Sequence, residues 1–297
     1  MTQTAVTEPT DTPRSTGRPR RRSNDRSVGF DVVAHIILIL WSLLVVLPLL
    51  WVFVSSFKTT KEALGNPLTW PHSLHWQNYA NAWNESGVGP AFINTIIVVG
   101  FSLVIVMVLG AMCSYVLARF KFFGNRAIYY LMLAGLTFPI FLAIVPLFSI
   151  LKNLSLLNTL TGLIVTYVAF ALPFTVFFLH AFFKRLPFDV YEAAQVDGAG
   201  EWRTFFQVML PMARPGLASV AIFNFLGLWN QFLLPTVLKP DDSVLTQAMS
   251  QFQSQAGYAV DFGALFAAVV ITVAPVLVVY IIFQRQLRGS VVAGAVK

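Results

Sequence analysis

Nine polar side chains sit where the chain is otherwise apolar: His35, Asn94, Thr95, Thr137, Thr166, His180, Asn224, Asn230 and Gln231. Each costs free energy in hydrocarbon, which makes each a candidate for function. Asn224, Gly227 and Gln231 are spaced by three and four, so they share one helix face. Trp229 and Asn230 lie beside that face. Carboxamides supply donors and acceptors together, and an indole offers a flat apolar surface. This combination suits a polyhydroxylated solute, with hydroxyls on the amides and the C–H face of the ring on the indole. The same groups would serve equally well to tie one helix to another, and for Asn94, near the end of its apolar stretch, both uses stay open. His35 and His180 lie near span ends, where they would reach the headgroups.

Other chemistry is excluded by what the chain lacks. No charged residue falls in the middle of an apolar span, whereas coupling to a proton or sodium gradient uses an intramembrane carboxylate or histidine relay. No G-x-x-x-x-G-K-[ST] segment is present to cradle nucleotide phosphates, and no nucleophile, base and orienting group can be assembled. Cys113 is the only cysteine, so neither an intrachain disulfide nor a thiolate metal cluster can form. His72 and His75 lie in a polar loop without acidic company in their immediate sequence and do not read as metal ligands. The expectation is a protein that is not an enzyme and binds no metal or cofactor itself.

Charged residues make up 11% of the 297 residues and apolar ones 57%, against about 25% charged in soluble domains. A bilayer-crossing helix needs about 20 apolar residues. Six stretches qualify, at roughly 32–55, 91–118, 127–151, 161–183, 214–238 and 264–284. The predicted fold class is therefore an all-α polytopic membrane protein with six transmembrane helices. The first apolar run is too long for a secretory signal. Pro48, Pro139, Pro146 and Pro173 fall inside spans and predict kinks around an internal cavity. Residues 1–30, rich in Arg, Thr, Pro and Ser, read as a disordered tail, residues 31–290 as the membrane domain, and 291–297 as a second tail. Sixteen of the 20 Lys and Arg residues fall on the side holding both termini, the 119–126 loop and the 186–216 insert. That excess places both ends and the insert in the cytoplasm. The charge is not gathered on a folded face, so nucleic acid is not an expected partner. Across the membrane, loop 56–90 carries Trp70, Trp76, Trp83 and Tyr79, which suit either the headgroup interface or contact with an external protein.

The insert from Leu186 to Gly216 reads LPFDVYEAAQVDGAGEWRTFFQVMLPMARPG. Asp189 and Glu192 have capping-box spacing, which predicts a short helix from about Val190. Gly198 would close it in the left-handed conformation. Small Ala193, Ala194 and Ala199 would let another backbone approach. A second helix is predicted over about Glu201–Val208, broken by Leu210-Pro211, with Arg214-Pro215-Gly216 opening the fifth span. The result is a helix-turn-helix between spans four and five that either docks on a cytoplasmic partner or lies on the lipid surface. Acidic Glu192 and Asp197 disfavour anionic lipid.

Glu192-Ala193-Ala194, Gly198, Val208 and Leu210-Pro211 resemble the EAA signature of permease subunits in binding-protein-dependent ABC importers, with Val at the position usually held by Ile. Asp197 and Ala199 match its commoner D-G-A form. The segment PLLWVFVSSFKTT, Phe92-Ile93-Asn94-Thr95 and the late Gln286-Leu287 are similar to the maltose-type second permease of the carbohydrate branch. The resemblance implies a bacterial plasma-membrane importer subunit working by alternating access. It implies a second permease, two cytoplasmic ATPases that use ATP and Mg, and an extracytoplasmic solute-binding protein delivering a sugar or oligosaccharide. It also implies that the insert is the coupling element gripped by an ATPase, and that a sister subunit makes the main sugar contacts. Within the family another solute, such as a polyol or glycerol phosphate, stays open. From another class, a secondary carrier or channel with a regulator-binding insert stays open too.

Overall fold

The structure, a computed structural model, describes residues 28–84, 87–240, 244–255 and 261–295. The Arg-rich tail predicted for 1–30 lies outside the described residues up to position 27. All regular structure among the described residues is helical: α1 (Val28–Ser55), α2 (Thr60–Gly65), α3 (Gln77–Asn84), α4 (Val88–Arg119), α5 (Asn125–Thr137), α6 (Ile140–Asn153), α7 (Leu160–Arg185) and α8 (Phe188–Val196). Then follow α9 (Glu201–Met212), α10 (Arg214–Trp229), α11 (Leu233–Leu238), α12 (Leu245–Gln255) and α13 (Phe262–Ala295). The chain divides into two units, residues 1–49 and 50–297. The described part of the first is residues 28–49 of α1, and the packing and sites described below lie in the second.

Within the described residues, α1, α4, α7 and α13 contain apolar stretches long enough to cross a bilayer. Two further spans are possible only as bent pairs, α5 with α6 at 106° and α9 with α10 at 75°. The third predicted span, 127–151, is therefore not one helix. Phe138 is extended (φ −72°, ψ 122°) and Pro139 caps α6, because a residue before proline is pushed out of the helical region and proline has no N–H to continue the ladder. Pro146, Pro173 and Pro275 sit inside continuous helices instead. The fifth predicted span, 214–238, also stops early: α10 ends at Trp229 and a separate short helix begins at Leu233. The last helix runs on to Ala295, so residues 291–295, expected as tail, are helical.

The central contact is between α4 and α7. On α4 a buried stripe repeats every four residues, Val98, Ser102, Val106, Gly110 and Ser114, the spacing that keeps one helix face turned to its neighbour. Small residues on such a seam let backbones close up. At Gly110 the approach is tight enough that a side chain would collide with the Thr175 methyl of α7.

The predicted outer loop 56–90 is folded by α2 and α3. Lys58 is fully buried, and its ammonium donates to the carbonyls of Pro67 (2.8 Å) and Asn66 (3.3 Å) just past α2. Asn78 on α3 donates to the carbonyls of Ser56 (2.8 Å) and Lys58 (2.9 Å). Thr59 and Glu62 form a complete capping box at the start of α2. Glu62 also meets His72 at 2.8 Å, so this histidine does have a carboxylate beside it, brought from ten residues away. His75 contacts the Ser73 hydroxyl. Among the described residues no three His, Cys, Asp or Glu side chains gather as a metal site.

The Thr59 amide, then His72, hold the Glu62 carboxyl down at about 2, below its ordinary 4.5. A depressed carboxyl contributes stability that is complete above its ordinary value and disappears as pH falls toward the depressed one. The cap of α2 should therefore persist at pH 5 and weaken only between 4.5 and about 2. A carboxylate ¹³C titration of the solubilised protein should show one glutamate with that low midpoint, absent in Glu62→Gln; a midpoint near 4.5 would contradict the cap.

Candidate functional site

Two features stand out on the α4–α7 frame: a helical hairpin at the end where Arg119 and Arg185 lie, and a cavity further along. The hairpin begins at Pro187, whose extended backbone (φ −55°, ψ 132°) sets the entry to α8. The predicted capping box is absent. Asp189 already lies in the first turn of α8, and no side chain caps the helix. From inside the turn Asp189 still favours the N-terminus through the helix dipole. Gly198 closes α8 with φ +77°, as its position predicts, since residues with a Cβ are strained there.

The second arm runs further than expected. Pro211 does not break it. A π-helical turn covers Thr204–Met209, with the Leu210 N–H bonded to the Phe205 carbonyl, and α9 continues through Pro211 to Met212. The wider turn offsets the register just before a residue that has no N–H. The change of direction comes at Ala213 instead, where the chain swings by 75° into α10.

The arms are tied to each other by Tyr191, which donates to Glu201 at 2.7 Å, and by Gln195, which donates to Thr204 at 3.3 Å. Burial and the Glu201 carboxylate push the Tyr191 phenol up to about 12, so it remains a donor at any physiological pH. The pair is anchored on α4 and α7 by an aromatic cluster. Tyr115 lies 4.9 Å from Phe205 and 5.7 Å from Phe183, ring to ring, with Met209, Ala213, Leu179 and Val220 packed around them. Arg119 at the end of α4 donates to the Leu186 carbonyl at 2.8 Å and lies 5.8 Å above the Phe188 ring. Ala194 is buried in this arrangement, and Leu210 and Pro211 are half-buried. The other face stays open: Glu192, Ala193, Val196, Asp197 and Gly198 are exposed, as are Trp202 and Phe206, whose rings stack within 14° of parallel at 6.0 Å. Ala199 is intermediate.

The cavity, about 400 Å³, lies between α7 and α10 and reaches Ile140 of α6. Asn224, Gly227 and Gln231 all line it, as their shared face predicts, with Tyr167, Phe170, Phe174 and Phe223 making aromatic walls. Asn224 also carries out the helix-tying alternative: its amide donates to the Thr175 hydroxyl at 2.8 Å. Its oxygen still has acceptor capacity. Trp229 does not reach the cavity. Two residues beyond Gly227 it points about 200° away around the helix, into the core, where it is 2% exposed, packs on Phe92 and Phe225, and donates to the Thr272 carbonyl. Asn230 bonds its own helix at the Leu226 carbonyl, and Asn94 is half-buried on α4 outside the cavity wall. Tyr167 has no pattern in the sequence to single it out. Its side chain is 2% exposed and lines the cavity, and its hydroxyl makes no hydrogen bond among the described residues.

The family model for the inner membrane component of binding-protein-dependent transport systems matches residues 106–291, which hold the whole of both features. The chain belongs to this family. The permease is 62% identical to the diacetylchitobiose uptake system permease protein NgcG of Streptomyces coelicolor, over 92% of this chain and 90% of that one. It is 34% identical to the trehalose transport system permease protein SugB of Mycobacterium tuberculosis, over 84% and 92%. Its fold is similar to a chain in the crystal structure of a bacterial ABC transporter that imports the acidic polysaccharide alginate (TM-score 0.73, 20% identity, 86% and 95% covered). It is thus a multi-pass membrane protein and a translocation subunit.

If the aromatic cluster fixes the hairpin, Phe205→Ala should cost about 3 kcal/mol or more, the range for deleting a buried phenyl ring. The solubilised permease should melt several degrees lower, and protease should cut near Gly198 sooner. An unchanged melting temperature and cleavage rate would show that the hairpin is held by something else.

Proposed function

We propose that this permease carries a sugar or oligosaccharide across the bacterial plasma membrane, in six spans, with energy from ATP hydrolysed on separate subunits. The two bent pairs, α5–α6 and α9–α10, each count as one span in this reading, and both termini and the hairpin face the cytoplasm. The solute is diacetylchitobiose or a closely related acetylated disaccharide, on the strength of the 62% identity to the Streptomyces coelicolor protein. The assembly has a second permease subunit, two ATPases using ATP and Mg, and an extracytoplasmic solute-binding protein facing 56–90 and 239–262.

One observation carries the reading. The hairpin is stiff toward the bundle and bare away from it. Its inner face is clamped by Tyr115, Phe183 and Phe205, while Glu192, Val196, Trp202 and Phe206 stay exposed. Exposed aromatic surface rimmed by acidic groups fits a protein partner better than anionic lipid. In this role α8 seats in a cleft of the ATPase, Glu192 sets register against a basic group there, and Ala193 permits close approach. Asp197, Gly198 and Ala199 end the helix at the point where load enters. Leu210 and Pro211 carry the second arm back to the bundle. The cavity residues Tyr167, Asn224 and Gln231 contact the passing sugar.

In proteoliposomes holding the complete importer, Gly198→Pro and Glu192→Ala should leave ATP hydrolysis running while uptake of labelled diacetylchitobiose falls at least about tenfold, a loss of about 1.4 kcal/mol of coupling. Normal uptake by Gly198→Pro would refute the coupling role. A cysteine placed at Gln195 should react with membrane-impermeant reagent in inside-out vesicles only; labelling from outside intact cells would reverse the orientation. Tyr167→Phe and Gln231→Ala should each raise the half-saturating sugar concentration a few-fold, about 1 kcal/mol for one lost hydrogen bond, with ATP hydrolysis unchanged.

A further inference from the structure

One further concavity belongs neither to the sugar cavity nor to the hairpin. It is a groove of about 930 Å³ where the α4–α5 turn meets α7, on the hairpin side of the molecule. Four cationic side chains line it, Arg119, Lys121, Arg126 and Lys184, together with His180, and no carboxylate does. Arg119 is committed to Leu186 and Phe188. Lys121, Arg126 and Lys184 make no ion pair among the described residues. Phe122 and Phe123 stand exposed at the groove, and Tyr129 and Tyr130 line it, with Tyr129 against His180 at 4.5 Å.

Three unpaired cations lining one concavity repel one another, and the groove offers them no counter-charge. Aromatic rings with both polar and apolar character belong at headgroup depth, and exposed phenyl rings there can enter acyl chains. The groove also lies at the end of two apolar membrane helices. A phosphodiester satisfies all of these at once: its anionic oxygens meet the cations, and the chains attached to it cover Phe122 and Phe123. We infer that this groove binds the headgroup of an anionic phospholipid, held by Lys121, Arg126 and Lys184. The lipid would brace the α4–α5 turn beside Arg119, the residue that ties α4 to the start of the hairpin. The inference stands apart from the proposed substrate and from the coupling role.

The test uses the full-length permease with its co-purifying subunits, stripped of lipid and returned to micelles containing phosphatidylglycerol or phosphatidylcholine, with bound lipid counted by native mass spectrometry. The wild type should retain phosphatidylglycerol in preference to phosphatidylcholine. Each Lys or Arg near an anionic headgroup strengthens binding about fivefold, so Lys121→Gln with Arg126→Gln and Lys184→Gln should weaken retention on the order of 100-fold. Arg126→Lys, which keeps the charge, should retain lipid, and so should Lys61→Gln on α2, away from the groove; both guard against a folding defect. Equal retention by the triple variant would overturn the inference. So would displacement of the lipid by excess inorganic phosphate, which would make free phosphate the ligand. Loss of co-purifying subunits from the triple variant with lipid retention unchanged would overturn it as well, by assigning the groove to a protein contact.

Discussion

The hairpin and the α7 wall of the cavity both rest on the close packing of α4 on α7. Two bilayer-crossing helices gain little from the hydrophobic effect, because lipid tails are as apolar as their side chains; association rests on van der Waals contact and a few hydrogen bonds. Contact of that kind falls off steeply with separation. The stripe of Val98, Ser102, Val106, Gly110 and Ser114 is the means of keeping the separation small. Ser102 donates across the seam to the Ile164 carbonyl, and Thr175 fits against Gly110. A larger residue at Gly110 would meet the Thr175 methyl and push the two helices apart there.

Thr175 links the seam to the cavity. Its methyl group fills the space left by Gly110, while its hydroxyl donates to Ala171 and accepts from Asn224. One side chain therefore touches α4, α7 and α10. Four residues on, Leu179 joins the cluster that holds the hairpin, and Phe183 lies a turn beyond. A displacement applied to the hairpin would reach the cavity wall along a single face of α7, through Phe183, Leu179 and Thr175. Whether such a face transmits work depends on its having two discrete arrangements. Its continuity is what makes the proposed coupling mechanically direct.

The membrane-spanning character of the chain was legible because length and hydropathy set it. The closing turn at Gly198 was legible because only glycine is comfortable there. The shared face of Asn224, Gly227 and Gln231 followed from spacing alone. What sequence could not supply were features decided by competition between neighbours. Pro139 breaks a helix whereas Pro146 does not, since Phe138 is free to become extended at a site where the chain must turn. Pro211 looks like a stop but is absorbed by a π-helical turn. Asp189 has the spacing of a cap, yet Pro187 takes that position first. Trp229 seemed to belong with the amides until the helix rotation turned it into the core. Tyr167 was invisible because one tyrosine in an apolar run is the ordinary composition of a membrane helix.

The chemistry of the cavity bears on how the proposed sugar would be recognised. Of the polar groups lining it, Asn224 spends its two N–H donors on the Thr175 hydroxyl and, more weakly, on the Met107 sulfur, which leaves an amide oxygen, the Gln231 amide and the Tyr167 hydroxyl. A disaccharide presents more hydroxyls than these three can satisfy, and an unpaired buried hydroxyl costs about 1–3 kcal/mol. The remaining hydrogen bonds must come from water or from a surface outside this chain. The four aromatic side chains are better suited to the apolar C–H faces and to an acetyl methyl group than to hydroxyls. On the proposed reading, then, this subunit supplies the wall against which the solute stacks and a second permease supplies most of its polar partners. The division follows from the composition of the wall, whose aromatic and aliphatic side chains leave few polar groups facing the solute.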